Sequence, residues 1–193
     1  SASLRHHVRR TPPPDDREQD LDRGLDVIGG RSAALARFMA SYTLLARMPA
    51  PAPAPVDVGE WIARIARMET RVRVIVEPGP PVTLAADADQ LDQLLINIIR
   101  NAADASLETG GGVTVAWSAE ESFVDISIRD EGFGLPETAN LFVPFFTTKP
   151  GGSGIGLVLS RQIAEAHGGS LTLIDGRGCE ARVHLPIQSI LYK

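Results

Sequence analysis

The chain has 193 residues, of which 44% are apolar and 22% are charged, and its formal net charge is −5. This composition is typical of a soluble globular protein, and with no basic cluster it argues against nucleic acid or an anionic membrane as the main partner. The single cysteine, Cys179, excludes an internal disulfide and a cysteine-based metal site, and it fits a reducing compartment. Because the chain opens on Ser1 rather than Met, we expect a fragment whose missing upstream part could hold a membrane anchor.

The first predicted element of the chain is a helix over residues 18–48, after the prolines at 12–14 that end any helix arriving from upstream. Its seam residues are spaced alternately four and three apart, as in a helix that packs in a bundle: Leu21, Leu25, Ile28, Ser32, Leu35, Met39 and Tyr42. An amphipathic helix lying on the chain's own domain is the alternative. The Pro/Ala segment 51–55 then predicts a stiff linker, so we expect two units, residues 1–50 and residues 56–193.

The second unit mixes strand and helix patterns. Strands are predicted at 71–78, 82–87, 112–118, 122–130, 170–175 and 180–186. Helices are predicted to open at Asp87, whose carboxylate suits an N-cap, and near Ile155, after a glycine-rich loop. The combination predicts an α+β fold, with helices on one face of a mixed sheet.

The helix after Asp87 carries a polar stripe opposite its apolar side. The stripe consists of Gln90, Gln93, Asn97, Asn101 and Asp104. Asparagine is a poor helix former, so two of them one turn apart indicate a use for their amide oxygens. Such oxygens suit a Mg²⁺ that keeps waters and takes its other ligands from phosphates. A solvated helix face is the alternative.

The segment "DEGFG" follows a predicted strand and contains Asp130, Gly132 and Gly134. A carboxylate fixed at a strand end can accept a hydrogen bond from an exocyclic amine, and the glycines let the backbone approach a flat ring. An ordinary turn that closes a hairpin is the alternative, and for this motif alone it is the favoured one.

The segment "GGSGIGL" places glycines at 151, 152, 154 and 156 directly before a helix. Backbone amides and the positive end of the helix dipole would favour a bound phosphate there, and Lys149 adds a positive charge. The spacing fits neither a Walker A loop nor a dinucleotide-binding fingerprint. A flexible linker is the alternative.

Taken together and in this order, the motifs resemble those of sensor histidine kinases, specifically their C-terminal ATP-binding catalytic domain. That domain belongs to the wider superfamily with the Bergerat fold, which includes DNA gyrase and the mismatch-repair ATPases. "QLLINIIRNAADA" resembles the N box, "DEGFG" the first glycine box, and "LFVPFFTTKPGGSGIGL" the F box and second glycine box. The resemblance runs from about Val56 to Ile187. It implies a Bergerat-type α/β sandwich that is preceded by the remnant of a helical hairpin.

The resemblance also implies roles for individual residues. Asn101 would be the Mg²⁺ ligand, Asn97 its neighbour in the phosphate site, Asp130 the adenine selector, and Asp104 an outer member of the site. The other implied ATP-binding residues are Gly132, Gly134, Thr147, Thr148, Lys149, Gly152, Ser153, Gly154, Ile155, Gly156 and Leu157. Cys179 would lie beside the adenine, where a partly buried thiol is more often inert packing than a reactive group.

The expected activity is transfer of the γ-phosphoryl of Mg²⁺-ATP to a histidine, for relay to an aspartate on the receiver domain of a response regulator. His7 matches part of the family's H box, but Val8 replaces the acidic neighbour, so we expect the acceptor upstream of Ser1 and no self-phosphorylation by the fragment. The resemblance further implies a homodimer through the hairpin and a cytoplasmic location. A nucleotide-binding regulatory module without phosphotransfer, or an ATPase or serine kinase of the same superfamily, would carry the same ATP-site residues.

Overall fold

The computed structural model describes residues 17–46, 48–135, 140–147, 149 and 152–187, and in the first helix it describes side chains only for 20–32, 36 and 39. The chain forms two compact units, Ser1–Arg47 and Met48–Lys193. In the first unit, the predicted helix is observed as α1 (Arg17–Ala46). Its seam residues Leu25, Ile28 and Met39 are exposed. Membership of a helical bundle stays a prediction, and His7 lies outside the described residues.

The second unit contains seven strands and three helices within its described residues. In chain order they are β1 (Ala54–Asp57), α2 (Val58–Ala66), β2 (Val74–Val76), β3 (Thr83–Ala86), α3 (Ala88–Leu107), β4 (Val113–Ala119), β5 (Phe123–Asp130), α4 (Gly156–Ala166), β6 (Ser170–Gly176) and β7 (Gly178–Pro186). Five strands form a sheet of order β2-β4-β5-β7-β6, while β1 and β3 form a separate antiparallel pair. Only β2 and β4 run parallel in the larger sheet.

The core lies between one face of the larger sheet and the helices α3 and α4. Alternate residues of β4, β5 and β7 are buried, as a strand with one face on a core requires. On the sheet side the core contains Val113, Val115, Val124, Ile126, Ile128, Ala181, Val183 and Leu185. The opposite face is polar, and it carries Asp125, Ser127, Arg129, Glu180, Arg182 and His184. The predicted α+β fold, with helices against one face of a mixed sheet, is confirmed.

Three local predictions need correction. Ala54 and Pro55 were expected in the linker but belong to β1, because an edge strand tolerates proline where no ladder donor is needed. The strand predicted at 71–78 is observed only as the shorter strand β2. Arg71 is not part of it, because its backbone N–H donates to Glu69 Oε1 at 2.8 Å instead of to a neighbouring strand. Helix α2 was missed, although Asp57 caps it by accepting the Glu60 N–H at 2.8 Å.

The start of α3 is held by Asp87 and by the end of α4. Asp87 Oδ1 accepts the Gln90 N–H at 3.1 Å, as expected of an N-cap. The Gln90 side chain does not return to the cap, and donates instead to the Pro49 carbonyl at 3.0 Å. The Asp87 N–H is satisfied by Nε2 of the buried His167, whose Nδ1 lies 2.8 Å from the Ile163 carbonyl. This pairing fits a neutral imidazole with its proton on Nδ1, so His167 joins α4 to α3.

Candidate functional site

The amide stripe of α3 faces the start of α4. Asn97 Oδ1 accepts from Gln93 Nε2 at 3.2 Å, and Asn97 Nδ2 lies 3.5 Å from the Gly156 carbonyl, in the first residue of α4. A Cβ on Gly156 would lie 3.7 Å from Asn97 Cγ, an ordinary van der Waals distance, so the start of α4 lies directly against the Asn97 side chain. The stripe is therefore not a freely solvated face, because the second glycine box lies against it.

One turn further along α3, Lys149 contacts two members of the same stripe. Its Nζ donates to Asn101 Oδ1 at 3.2 Å and to Asp104 Oδ2 at 2.9 Å. An amide oxygen and a carboxylate oxygen thus converge on one ammonium group. Such a pair of oxygens defines a position that already suits a cation.

Asp104 is shared between two cations. Its other oxygen, Oδ1, accepts from Arg71 Nη1 at 2.7 Å. Burial raises the pKa of Asp104, but the hydrogen bonds and charges of Lys149 and Arg71 outweigh it and hold the pKa below its ordinary value. Asp104 is therefore ionised at neutral pH, and its stabilising contribution would be lost only as the pH falls through that lowered pKa.

The Asp130 carboxylate is fixed at the end of β5 and is largely buried, with 7% of its surface exposed. Its Oδ1 accepts two backbone N–H groups, from Gly132 at 2.9 Å and from Cys179 at 3.0 Å. Within the described part of the chain, Oδ2 accepts no hydrogen bond. The geometry therefore leaves one oxygen of a held carboxylate available to a ligand, and an exocyclic amine is a suitable donor for it.

The first glycine box is packed between α3 and the β6–β7 hairpin. A Cβ on Gly132 would lie 2.8 Å from Ala105 Cβ, which is the residue after Asp104 on α3. Gly134 has a φ of 91°, and the next residue, Leu135, donates its N–H to Asp175 Oδ1 at 2.9 Å. The glycines are needed here for close approach and for a left-handed backbone.

Cys179 lies next to the same carboxylate. Burial, with further contributions from the negative charges of Asp130 and Asp175, raises the pKa of its thiol to about 12. The thiol is therefore neutral at physiological pH and a poor nucleophile, since the thiolate is the reactive form.

The F box and the second glycine box are joined through their backbones. Phe145 has a φ of 68°, which is unusual for a bulky residue, and its N–H donates to the Gly154 carbonyl at 2.9 Å. Gly154 also has a positive φ, and a Cβ on it would lie 2.5 Å from the Phe145 carbonyl carbon. After this contact, α4 begins at Gly156, and its N-cap residue, Ile155, makes no side-chain capping hydrogen bond, so in the described part of the chain its first amides have no side-chain cap.

The remaining predicted site residues surround this loop. Thr147 Oγ1 accepts the Lys149 N–H at 3.1 Å, and Gly152 donates its N–H to the Lys149 carbonyl at 3.1 Å. Gly152 and Ser153 are exposed, Ile155 is buried, and Leu157 is half-buried in the first turn of α4. Thr148 lies outside the described residues.

The three predicted segments meet along α3. The second glycine box contacts it at Asn97, Lys149 contacts it at Asn101 and Asp104, and the first glycine box contacts it at Ala105. From Asn97 to Ala105 the helix rises about 12 Å. An amide-bearing helix, a fixed carboxylate and a glycine loop therefore line one continuous region, with cationic Lys149 between them.

Two residues of this region were missed in the sequence analysis. Arg71 was assigned to a strand, and only the tertiary structure places its guanidinium on Asp104. Asp175 was placed in the strand at 170–175, whose pattern gives no sign that its carboxylate holds Leu135. For Asp175, the Asp-Gly pair at 175–176 could have indicated the hairpin turn that positions it.

The chain belongs to the family described as histidine kinase-, DNA gyrase B-, and HSP90-like ATPases, whose model matches residues 86–189. Its catalytic domain is thus of the histidine kinase type found in two-component signal transduction, and an ATPase domain of this kind implies ATP binding. The resemblance read from the N, F and glycine boxes is confirmed. None of the described helices has both the length and the apolar character needed to cross a bilayer.

Particular relatives are sensor kinases of bacteria. The chain is 35% identical to sensor protein FixL of Bradyrhizobium diazoefficiens over 57% of its length and 22% of FixL. It is 30% identical to nitrogen regulation protein NtrY of Azorhizobium caulinodans over 86% of its length and 23% of NtrY. Among solved structures, a mycobacterial sensor histidine kinase, MprB, aligns with a TM-score of 0.62 and 29% identity, covering 70% of this chain and 97% of that one. The chain thus spans less than a quarter of the two curated relatives.

Proposed function

We propose that this chain is the catalytic region of a sensor histidine kinase, which binds Mg²⁺-ATP and presents its γ-phosphate to a histidine. In the proposed complex the adenine amine donates to Asp130 Oδ2, and the phosphates lie between Lys149 and the start of α4. The phosphoryl group then passes to an aspartate on the receiver domain of a response regulator. The parent protein is a homodimer through its helical hairpin, and this domain lies in the cytoplasm.

The observation that carries the proposal is the meeting of three separate segments on α3. Asp130 offers one carboxylate oxygen that accepts no hydrogen bond from the described residues. The N-cap of α4 makes no side-chain hydrogen bond, and Lys149 provides the positive charge between them. Adenine needs an acceptor for its amine, and a polyphosphate needs backbone donors and a cation. An ATP molecule satisfies all three groups at once.

The donor set of α3 fits a magnesium ion that is shared with phosphates. In the described part of the chain, no group of three or more His, Cys, Asp or Glu side chains could hold a metal ion by itself. Asn101 Oδ1 is a hard, uncharged oxygen, and the ammonium of Lys149 already lies 3.2 Å from it. Asn101 would therefore hold Mg²⁺ together with phosphate oxygens and waters. When bound, the ion neutralises phosphate charge during transfer.

The described residues place no phosphoacceptor in this region. They include two histidines, His167 and His184. His167 is buried between the Ile163 carbonyl and the Asp87 N–H. His184 lies on the polar face of the sheet, 2.9 Å from Asp125 Oδ1 and stacked on Phe123. Neither of these two histidines is placed to accept the phosphoryl group, and Val8 replaces the acidic neighbour that the family's H box has after its histidine, which argues against His7. We therefore assign the acceptor to a histidine of the parent protein outside this chain.

Replacing Asn101 tests the metal assignment. We expect Asn101→Ala to weaken binding of an ATP analogue in the presence of Mg²⁺ by about tenfold, the effect of one contact worth about 1.4 kcal/mol. Without Mg²⁺ the variant and the native chain should bind about equally, because the lost oxygen acts through the metal. Calorimetric titration with and without Mg²⁺ measures both values. Gln90→Ala is the control, since it removes another amide of the same stripe, whose Nε2 donates to the Pro49 carbonyl at the start of α3. Unchanged binding by Asn101→Ala with Mg²⁺ would overturn the assignment.

The acceptor assignment predicts that the chain does not phosphorylate itself. After incubation with Mg²⁺ and ATP labelled on the γ-phosphate, the chain should retain no acid-labile, alkali-stable label above that of an Asp130→Asn control. Phosphate recovered on His7 would place the acceptor inside the chain. Steady release of inorganic phosphate without labelling would favour an ATPase of the same superfamily.

A further inference from the structure

The Arg71 side chain is held by Glu69 in the loop between α2 and β2. Its Nε and Nη2 donate to the two oxygens of Glu69, at 3.1 and 2.7 Å, and its backbone N–H donates to the same carboxylate at 2.8 Å. Only 6% of the Glu69 side chain is exposed. A fork-to-fork pair of this kind fixes the plane of the guanidinium. The third nitrogen of the guanidinium, Nη1, takes no part in this pair with Glu69.

That remaining nitrogen binds the stripe of α3. Arg71 Nη1 donates to Asp104 Oδ1 at 2.7 Å, and Asp104 Oδ2 accepts from Lys149 at 2.9 Å. Lys149 in turn reaches Asn101 Oδ1 at 3.2 Å. A continuous chain of hydrogen bonds therefore joins Glu69 to Asn101 through Arg71, Asp104 and Lys149. Arg71 and Glu69 precede residues 86–189, which match the family model.

The charges along this chain balance. Glu69 and Asp104 are acidic, while Arg71 and Lys149 are basic, so the four groups together carry no net charge. Without Arg71 the cluster would carry one negative charge next to the place proposed for the phosphates. Asp104 would also have both oxygens free to hold Lys149, which would then be less available to a nucleotide.

We propose that Arg71 is a positioning residue of the nucleotide site, which binds one oxygen of Asp104 and so leaves Lys149 free to move to the phosphates of ATP. The inference rests on the proposed function, and it assigns to this site a residue outside the motifs that define it. Arg71 acts through Asp104 and makes no contact with the nucleotide itself. Its effect is therefore expected on nucleotide affinity, and only while the Asp104 carboxylate is present.

The test is a double-mutant cycle read by calorimetric binding of an ATP analogue with Mg²⁺. We expect Arg71→Met to weaken binding by roughly 5- to 10-fold at low salt, and by less at high salt because the effect is one of charge. In the Asp104→Asn background the same change should cost less than about twofold, since the charge through which Arg71 acts is already absent. Arg71→Lys keeps the positive charge but not the paired hydrogen bonds of the guanidinium. Its nucleotide affinity should lie between those of the native chain and Arg71→Met.

Arg64→Met is the matched control. Arg64, on α2, likewise pairs with an acidic residue of α3, through two hydrogen bonds to Asp92 at 2.7 and 2.8 Å, but Asp92 is not part of the stripe. This variant should lose stability without losing affinity. Equal binding by the native chain and Arg71→Met would overturn the inference alone, as would an undiminished loss in the Asp104→Asn background. A native chain that binds no nucleotide would overturn the proposed function, and the inference with it.

Discussion

Replacing Asp130 by asparagine is expected to remove most of the nucleotide affinity while leaving the fold intact. The two N–H groups of Gly132 and Cys179 both point at Asp130 Oδ1, so the amide oxygen of an asparagine must take that position. Its NH₂ group then occupies the position of Oδ2. Because this group and the adenine amine are both donors, no hydrogen bond forms between them. Losing a hydrogen bond to a charged group costs about 1.5–3 kcal/mol, so affinity for ADP should fall by roughly 10- to 150-fold.

Titration with ADP measures this loss, and urea unfolding of the same variant measures its stability. Since both backbone donors keep an acceptor, the free energy of unfolding should fall by no more than about 1–2 kcal/mol. Asp125→Asn is the control, because it removes the same charge from the polar face of the same strand, β5. If Asp130→Asn binds ADP as tightly as Asp125→Asn does, Asp130 does not recognise adenine.

The architecture of the catalytic unit was largely predictable because its signals are local. Alternating burial marks β4, β5 and β7, and the Asp87 cap marks the start of α3. Asn97 and Asn101 stood out because asparagine is costly inside a helix. The same kind of signal is present for α2, where Asp57 and Glu60 form a capping pattern before Trp61, but the proline-rich segment directly in front of it predicts a linker rather than a helix start.

The connections between the motifs were not predictable, because they depend on tertiary contacts. In the sequence, Arg71 is one of several arginines in an alternating segment. Only the turn made by Glu69 brings it to Asp104, 33 residues away in sequence. In the same way, the stripe pattern predicted that Asp104 lies near the site, but not that two cations share its oxygens. Charged side chains are long and their partners are set by the fold, so spacing alone rarely identifies them.

The Gly178→Ala variant is expected to show the largest loss of stability. Gly178 begins β7 with a φ of 84°, a left-handed conformation that costs alanine about 1–2 kcal/mol. The new Cβ would also overlap the Asp130 carbonyl oxygen and lie 2.8 Å from its carbon and 2.9 Å from Oδ1. Overpacking of this kind adds about 1–3 kcal/mol. We therefore expect urea unfolding to report a loss of roughly 2–5 kcal/mol.

Gly176→Ala separates this effect from a general intolerance of the β6–β7 hairpin. A Cβ on Gly176 would meet no atom within 4 Å, so that variant should unfold within about 0.5 kcal/mol of the native chain. Because the atoms displaced by Gly178→Ala belong to Asp130, its folded fraction should also bind ADP more weakly, whereas Gly176→Ala should bind normally. Equal stability of the two variants would mean that the backbone of Asp130 is not held against Gly178, and that the carboxylate is positioned by its hydrogen bonds alone.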